Sequence, residues 1–73
     1  IAQISRGFKV VIEGIEEIGS FVELMEIPGN PLFAIDLKGK EILVPANEQF
    51  VLSIDHDKQT VYLRIPDELL DLN

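Results

Sequence analysis

The stretch Phe33-Ala34-Ile35-Asp36-Leu37-Lys38-Gly39-Lys40-Glu41-Ile42-Leu43-Val44-Pro45, residues 33–45, reads as two strands joined by a tight turn. Side chains alternate with a period of two along a strand, so Phe33, Ile35 and Leu37 share one face. Beyond Lys38 and Gly39, Ile42 and Val44 share a face in turn, and Pro45, Ala46 and Asn47 end the second strand. The chain commits here to a β-hairpin, and the same period recurs on both sides of it.

Upstream, Phe8, Val10 and Ile12 alternate with Lys9, Val11 and Glu13, the pattern of a strand with one buried face. Glu13 to Glu17 holds Gly14 and three acids and reads as a turn. Gly19 to Ile27 carries two signals. Ile18, Phe21, Val22 and Met25 follow helical spacing, and Ser20 with Glu23 has the form of a capping box. Gly19 and Pro28 confine any such helix to about two turns, too short to be stable without support. A strand, with room for a bulge, is the reading preferred. Pro28, Gly29, Asn30 and Pro31 then form a loop, since two prolines cannot donate to a ladder and Gly29 tolerates positive φ.

Downstream, Phe50, Leu52 and Ile54 alternate with Val51, Ser53 and Asp55, and His56 to Gln59 reverses the chain. In Thr60 to Ile65, Val61, Leu63 and Ile65 face one way while Thr60, Tyr62 and Arg64 face the other. Pro66 stops that strand, and Asp67 and Glu68 suit the positive end of a short helical turn, with Leu69, Leu70 and Leu72 folding back on the body. The expected fold is all-β: residues 1–73 as one small six-stranded barrel with a short C-terminal helical turn. Closing the sheet removes its exposed edges.

At 73 residues the chain buries about 60% of the surface that its unfolded form exposes. Stability of about 4 to 11 kcal/mol is expected. Cys is absent, so packing alone must hold the fold, which suits a reducing compartment. The longest stretch free of charge, Ile27 to Ile35, falls far short of the ~20 apolar residues that span a bilayer. Because the chain starts at Ile1, and Ile1 to Gly7 has neither a basic leader nor an apolar signal core, it is expected to be part of a longer protein. Six Lys and Arg against 13 Asp and Glu give a formal charge of -7. Phosphate backbones repel such a domain, so little direct nucleic-acid contact is expected, and a basic protein is the better electrostatic match.

No side-chain set suggests catalysis, and no cofactor or metal is expected. Nucleophilic chemistry needs a Ser, Thr or Cys beside a base, and the one histidine, His56, falls in a turn. Asp55, His56 and Asp57 are adjacent on that turn and rarely converge on one ion. A phosphate loop needs glycine where Ala34 stands, five residues before Gly39. The carboxylates of Glu13, Glu16, Glu17 and Glu23 read as a solvated face, and Lys38 and Lys40 as charged turn flanks that serve solubility. Phe8, Phe21, Phe33, Phe50 and Tyr62 are spread among strands, as core residues are, and do not form a stacking platform. Tyr62 is the exception, since its face also carries Thr60 and Arg64.

The run GKEILVP (Gly39 to Pro45) followed by PDELLDL (Pro66 to Leu72) resembles the C-terminal PRC-barrel domain of the RimM family of ribosome maturation factors. Ile18 to Glu23 looks like that family's second strand, Gly29 and Asn30 lie at its small-residue loop, and Phe50 to Asp55 resembles its fifth strand. The resemblance covers nearly the whole chain. The family pattern departs here at Ile1 to Gly7, which lacks the usual aromatic pair, and at PDELLDL, which replaces PEGLLDL. What the resemblance implies is a cytoplasmic, non-catalytic factor that supports maturation of the head of the small ribosomal subunit and processing of its RNA. It further implies an N-terminal sister domain and, as partner, the basic small-subunit ribosomal protein nineteen.

The contact residues expected on this reading are Pro28, Gly29, Asn30, Pro31, Pro45, Ala46 and Asn47, with Leu69, Leu70 and Leu72 of the tail. Rigid proline loops lose little entropy on binding, although they equally serve to turn the chain. The alternative is a PRC-barrel of another kind, a self-associating structural module or a holder of a small ligand or of a redox or membrane partner.

Overall fold

The computed structural model describes residues 4–66, and all of its regular structure is strand. The elements are β1 (Lys9–Ile12), β2 (Ile18–Met25), β3 (Leu32–Leu37), β4 (Lys40–Pro45), β5 (Val51–Asp55) and β6 (Thr60–Leu63). They form one sheet in the order β4-β3-β2-β1-β6-β5. Neighbours run antiparallel except β1 and β6, which pair in parallel from Lys9 with Thr60 to Ile12 with Leu63. The expected helical turn after Pro66 lies outside the described residues.

Residues far apart in the sheet meet in one core. Val10, Ile12, Phe21, Phe33, Ile35, Leu37, Ile42, Val44, Val61 and Leu63 are buried in a single cluster, with Val51 and Ile54 packed against it. The cluster thus draws on both end strands, β4 and β5, which a flat sheet cannot bring together. The sheet curls into the expected barrel, with its hydrogen-bonded ladder open between β4 and β5. Each fully buried aliphatic side chain contributes about 1.5 to 3 kcal/mol.

Turn chemistry follows the residues. Leu37 pairs directly with Lys40, leaving a two-residue connection in which Lys38 and Gly39 have φ of 57° and 81°. Positive φ at both positions marks the primed turn that matches strand twist. The Asp36 carboxylate accepts the Gly39 N–H at 2.9 Å and steadies it. At the opposite end of the barrel the Asn30 N–H donates to the Ile27 carbonyl at 2.9 Å across Pro28 and Gly29, the latter at φ 79°. Proline followed by a positive-φ glycine is the signature of a type II turn.

Two bulges reset the strand phases. In β2 the register shifts between Phe21, opposite Ile35, and Glu23, opposite Ala34. The extra residue, Val22, leaves Phe21 and Leu24 three apart yet both directed inward, and turns Glu23 to solvent. Of Ile18, Phe21, Val22 and Met25, whose spacing is helical, only Phe21 is buried, and Ile18 is 59% exposed. In β5 the register shifts between Val51 and Ser53, and Leu52 is 45% exposed. The expected face of Phe50, Leu52 and Ile54 is therefore corrected: Phe50, Val51 and Ile54 pack on the core and Leu52 does not. One inserted residue reverses the alternation.

Candidate partner-binding surfaces

The two expected contact loops lie side by side. Leu32 pairs with Pro45, and the Ala46 N–H donates to the Pro31 carbonyl at 2.9 Å, so residues 28–31 and 45–47 meet at one end of the barrel. Pro28, Gly29, Asn30 and Asn47 are exposed there, whereas Pro31, Pro45 and Ala46 are half-buried. Ala46 packs against the core. Asn47 is occupied by the fold: its side-chain oxygen accepts the Gln49 N–H at 2.9 Å, and its carbonyl accepts the N–H groups of Phe50 and Val51 at 3.1 and 3.0 Å. The remaining expected contacts, Leu69, Leu70 and Leu72, lie outside the described residues.

Two ion pairs tie distant charged groups together. Lys38 Nζ lies 3.2 Å from Glu17 Oε2, and Arg64 Nε lies 3.0 Å from Glu13 Oε1. Both pairs are exposed, and each bridges segments distant in sequence. The hydrogen bond from Lys38, then Glu17's own backbone N–H and the lysine's charge, hold the Glu17 carboxyl below its ordinary pKa. Among the described residues no three His, Asp or Glu side chains come together as a metal-binding group. His56 is exposed, its ring 6.3 Å from that of Phe8 in an edge-on arrangement. No helix among the described residues is long and apolar enough to cross a membrane.

Strand register sorts the outer surface into two unlike halves, because directly opposed residues project to the same face. Across β2, β3 and β4 the outward rows are Ser20, Asp36 and Glu41; then Glu23, Ala34 and Leu43; then Met25, Leu32 and Pro45. Glu23, Asp36 and Glu41 are exposed, Leu43 is 43% exposed, and Ala34 between them is fully buried. Across β2, β1, β6 and β5 the rows are Ile18, Val11, Tyr62 and Ser53; then Ser20, Lys9, Thr60 and Asp55. The second half balances Lys9 against Asp55, and the first holds three acids and no base. Sequence reading passed over this first face, although its signal lies inside the hairpin stretch: Ala34, Asp36, Glu41 and Leu43 occupy the outward phase of the two strands.

Comparison with known proteins follows the same lines. The model of the RimM PRC barrel domain matches residues 6–69. A ribosome maturation factor RimM of Phocaeicola vulgatus is 38% identical over 64 residues, covering 88% of this chain and 37% of the relative. The factor of the same name from Geotalea uraniireducens is 35% identical over 66 residues, with 90% and 38% covered, and that from Azobacteroides pseudotrichonymphae is 33% identical over 64 residues, with 88% and 37% covered. The chain thus spans little more than a third of the length of the curated relatives it matches. No solved structure matches it. With a family model covering most of its length and six strands curled round one core, the chain belongs to the RimM PRC-barrel domain family.

Proposed function

We propose that this domain serves a ribosome maturation factor, supporting maturation of the head of the small subunit and processing of its RNA without catalysing a reaction itself. The observation that carries the reading is the family match over residues 6–69, with relatives named as ribosome maturation factors. The domain acts in the cytoplasm by docking, beside an N-terminal sister domain, onto the basic small-subunit ribosomal protein nineteen. A formal charge of -7 favours that partner over bare RNA, since opposite charge speeds encounter and phosphate is repelled.

Binding of ribosomal protein nineteen by the protein that carries this domain, with the domain present and with it deleted, tests the reading by calorimetry. Affinity should fall sharply on deletion and weaken with added salt. Equal affinity in both forms would remove the domain from the interaction.

A further inference from the structure

We infer that the outer face of β2, β3 and β4 is a docking surface for a basic protein segment that carries an apolar side chain between cationic ones. The inference rests on the proposed partner reading and adds to it the location and the chemistry of the contact. In the outward rows of these strands Leu43 stands 43% exposed beside Ala34, whose methyl group is fully buried. The short side chain of Ala34 is closed off between Leu43 on one flank and Glu23 on the other, so Leu43 is the exposed apolar group of its row. Met25, Leu32 and Pro45 form the next outward row, half-buried and apolar, toward one end of the barrel.

The charges around Leu43 are of one sign. Glu23, Asp36 and Glu41 are exposed in the two rows that contain or adjoin Leu43, and no Lys or Arg shares those rows. Lys40 falls in the opposite phase of β4, with Ile42 and Val44, and Lys38 is held by Glu17 at the turn. The other outer half offers an exposed apolar group too, Ile18, yet its rows pair Lys9 with Asp55 and carry no net charge. Charge complementarity therefore selects the β2-β3-β4 face for a cationic partner. The bulge at Val22 completes it: if Val22 held a regular place in the ladder, Glu23 would share the inward phase of Phe21.

Such a contact divides into two measurable parts. The carboxylates act at range and are screened within about 8 Å at physiological salt, so they set the association rate and its salt dependence. Leu43 acts only on contact, as a desolvated central side chain, and sets the dissociation rate.

The isotope-labelled 73-residue chain, titrated with ribosomal protein nineteen and followed by its amide resonances, tests the assignment. Shifts should concentrate on residues 23, 34, 36, 41 and 43. Leu43→Lys should weaken binding by about tenfold or more, while Leu52→Lys, at a site of matched exposure on another strand, should leave it unchanged. Glu23→Gln with Glu41→Gln should flatten the salt dependence. Leu43→Ala, which leaves charge and backbone intact, should reproduce the direction of the Leu43→Lys effect and guards against misfolding. Binding that maps to the β1-β6-β5 face, or that survives both Leu43 changes, overturns the surface and leaves the partner reading standing. Absence of binding by the unmodified chain removes the surface and the partner together.

Discussion

Gly19 on β2 lies against the main chain of Asp36 on β3: a Cβ built on Gly19 would stand 2.8 Å from the Asp36 carbonyl oxygen and 3.2 Å from Ile35 Cγ2. Backbone cannot yield as a flexible side-chain end does, so Gly19→Ala must push two central strands apart. The expected cost is about 2 kcal/mol, in the range for overpacking. Against a total of about 4 to 11 kcal/mol this is a large fraction. Urea unfolding should show a lower midpoint with an unchanged slope.

The bulge in β5 makes a second, opposed pair of expectations. Leu63 is fully buried, whereas Leu52 is 45% exposed although both sit in the outer strand pair of the sheet. Leu63→Ala should cost about 3 kcal/mol, the usual price of a cavity, and Leu52→Ala no more than about 0.5 kcal/mol. Equal losses at both positions, measured by thermal unfolding, would show that the β5 phase is the one that simple alternation predicts.

Gln59 adopts φ of 51° and closes the turn whose N–H meets the His56 carbonyl at 3.3 Å. An L-residue in the left-handed region costs about 1 to 2 kcal/mol, which glycine avoids. Glycine also gains entropy when unfolded, which offsets part of the benefit. Gln59→Gly should therefore raise stability by about 0.5 to 1 kcal/mol, seen as an upward shift in the unfolding midpoint.

Lys38 lowers the Glu17 carboxyl below its ordinary pKa. A carboxyl depressed by folding stabilises the fold above its unfolded pKa, and that contribution is lost as pH falls through the folded value. The pair is solvent-exposed, so the gain is small and screened by salt. Lys38→Met should bring Glu17 back up toward the usual glutamate range in a carboxyl-resolved NMR titration, and high salt should do the same in the unmodified chain.

The parts of the fold that were legible are those encoded by neighbours in sequence. Lys38-Gly39 between alternating apolar runs specifies a two-residue hairpin, and the register found there pairs Leu37 with Lys40. Pro28-Gly29 likewise encodes its own turn. The strand β2 was legible only as a choice between two readings, because Val22 breaks the period that distinguishes them. Leu52 was misread for the same reason. A bulge is a property of two strands, and one strand's sequence carries half of it.

The contact loops show the same limit. Their composition marked them as loops, but the bond from Ala46 to Pro31 that brings them together depends on β3–β4 register. Leu43 holds the outward phase between Ile42 and Val44, and its place among Glu23, Asp36 and Glu41 emerges only when three strands are aligned.

The parallel pairing of β1 with β6 joins Lys9 to Thr60, near opposite ends of the chain. Closing a loop of that size costs on the order of 3 kcal/mol in chain entropy, and no local turn defrays it. The hairpins β3–β4 and β5–β6 can zip early, but β1 gains its second neighbour only when the two ends meet. That meeting is the slow, cooperative event of folding, so the barrel assembles late and as a unit, and a lesion at the clasp retards the whole domain.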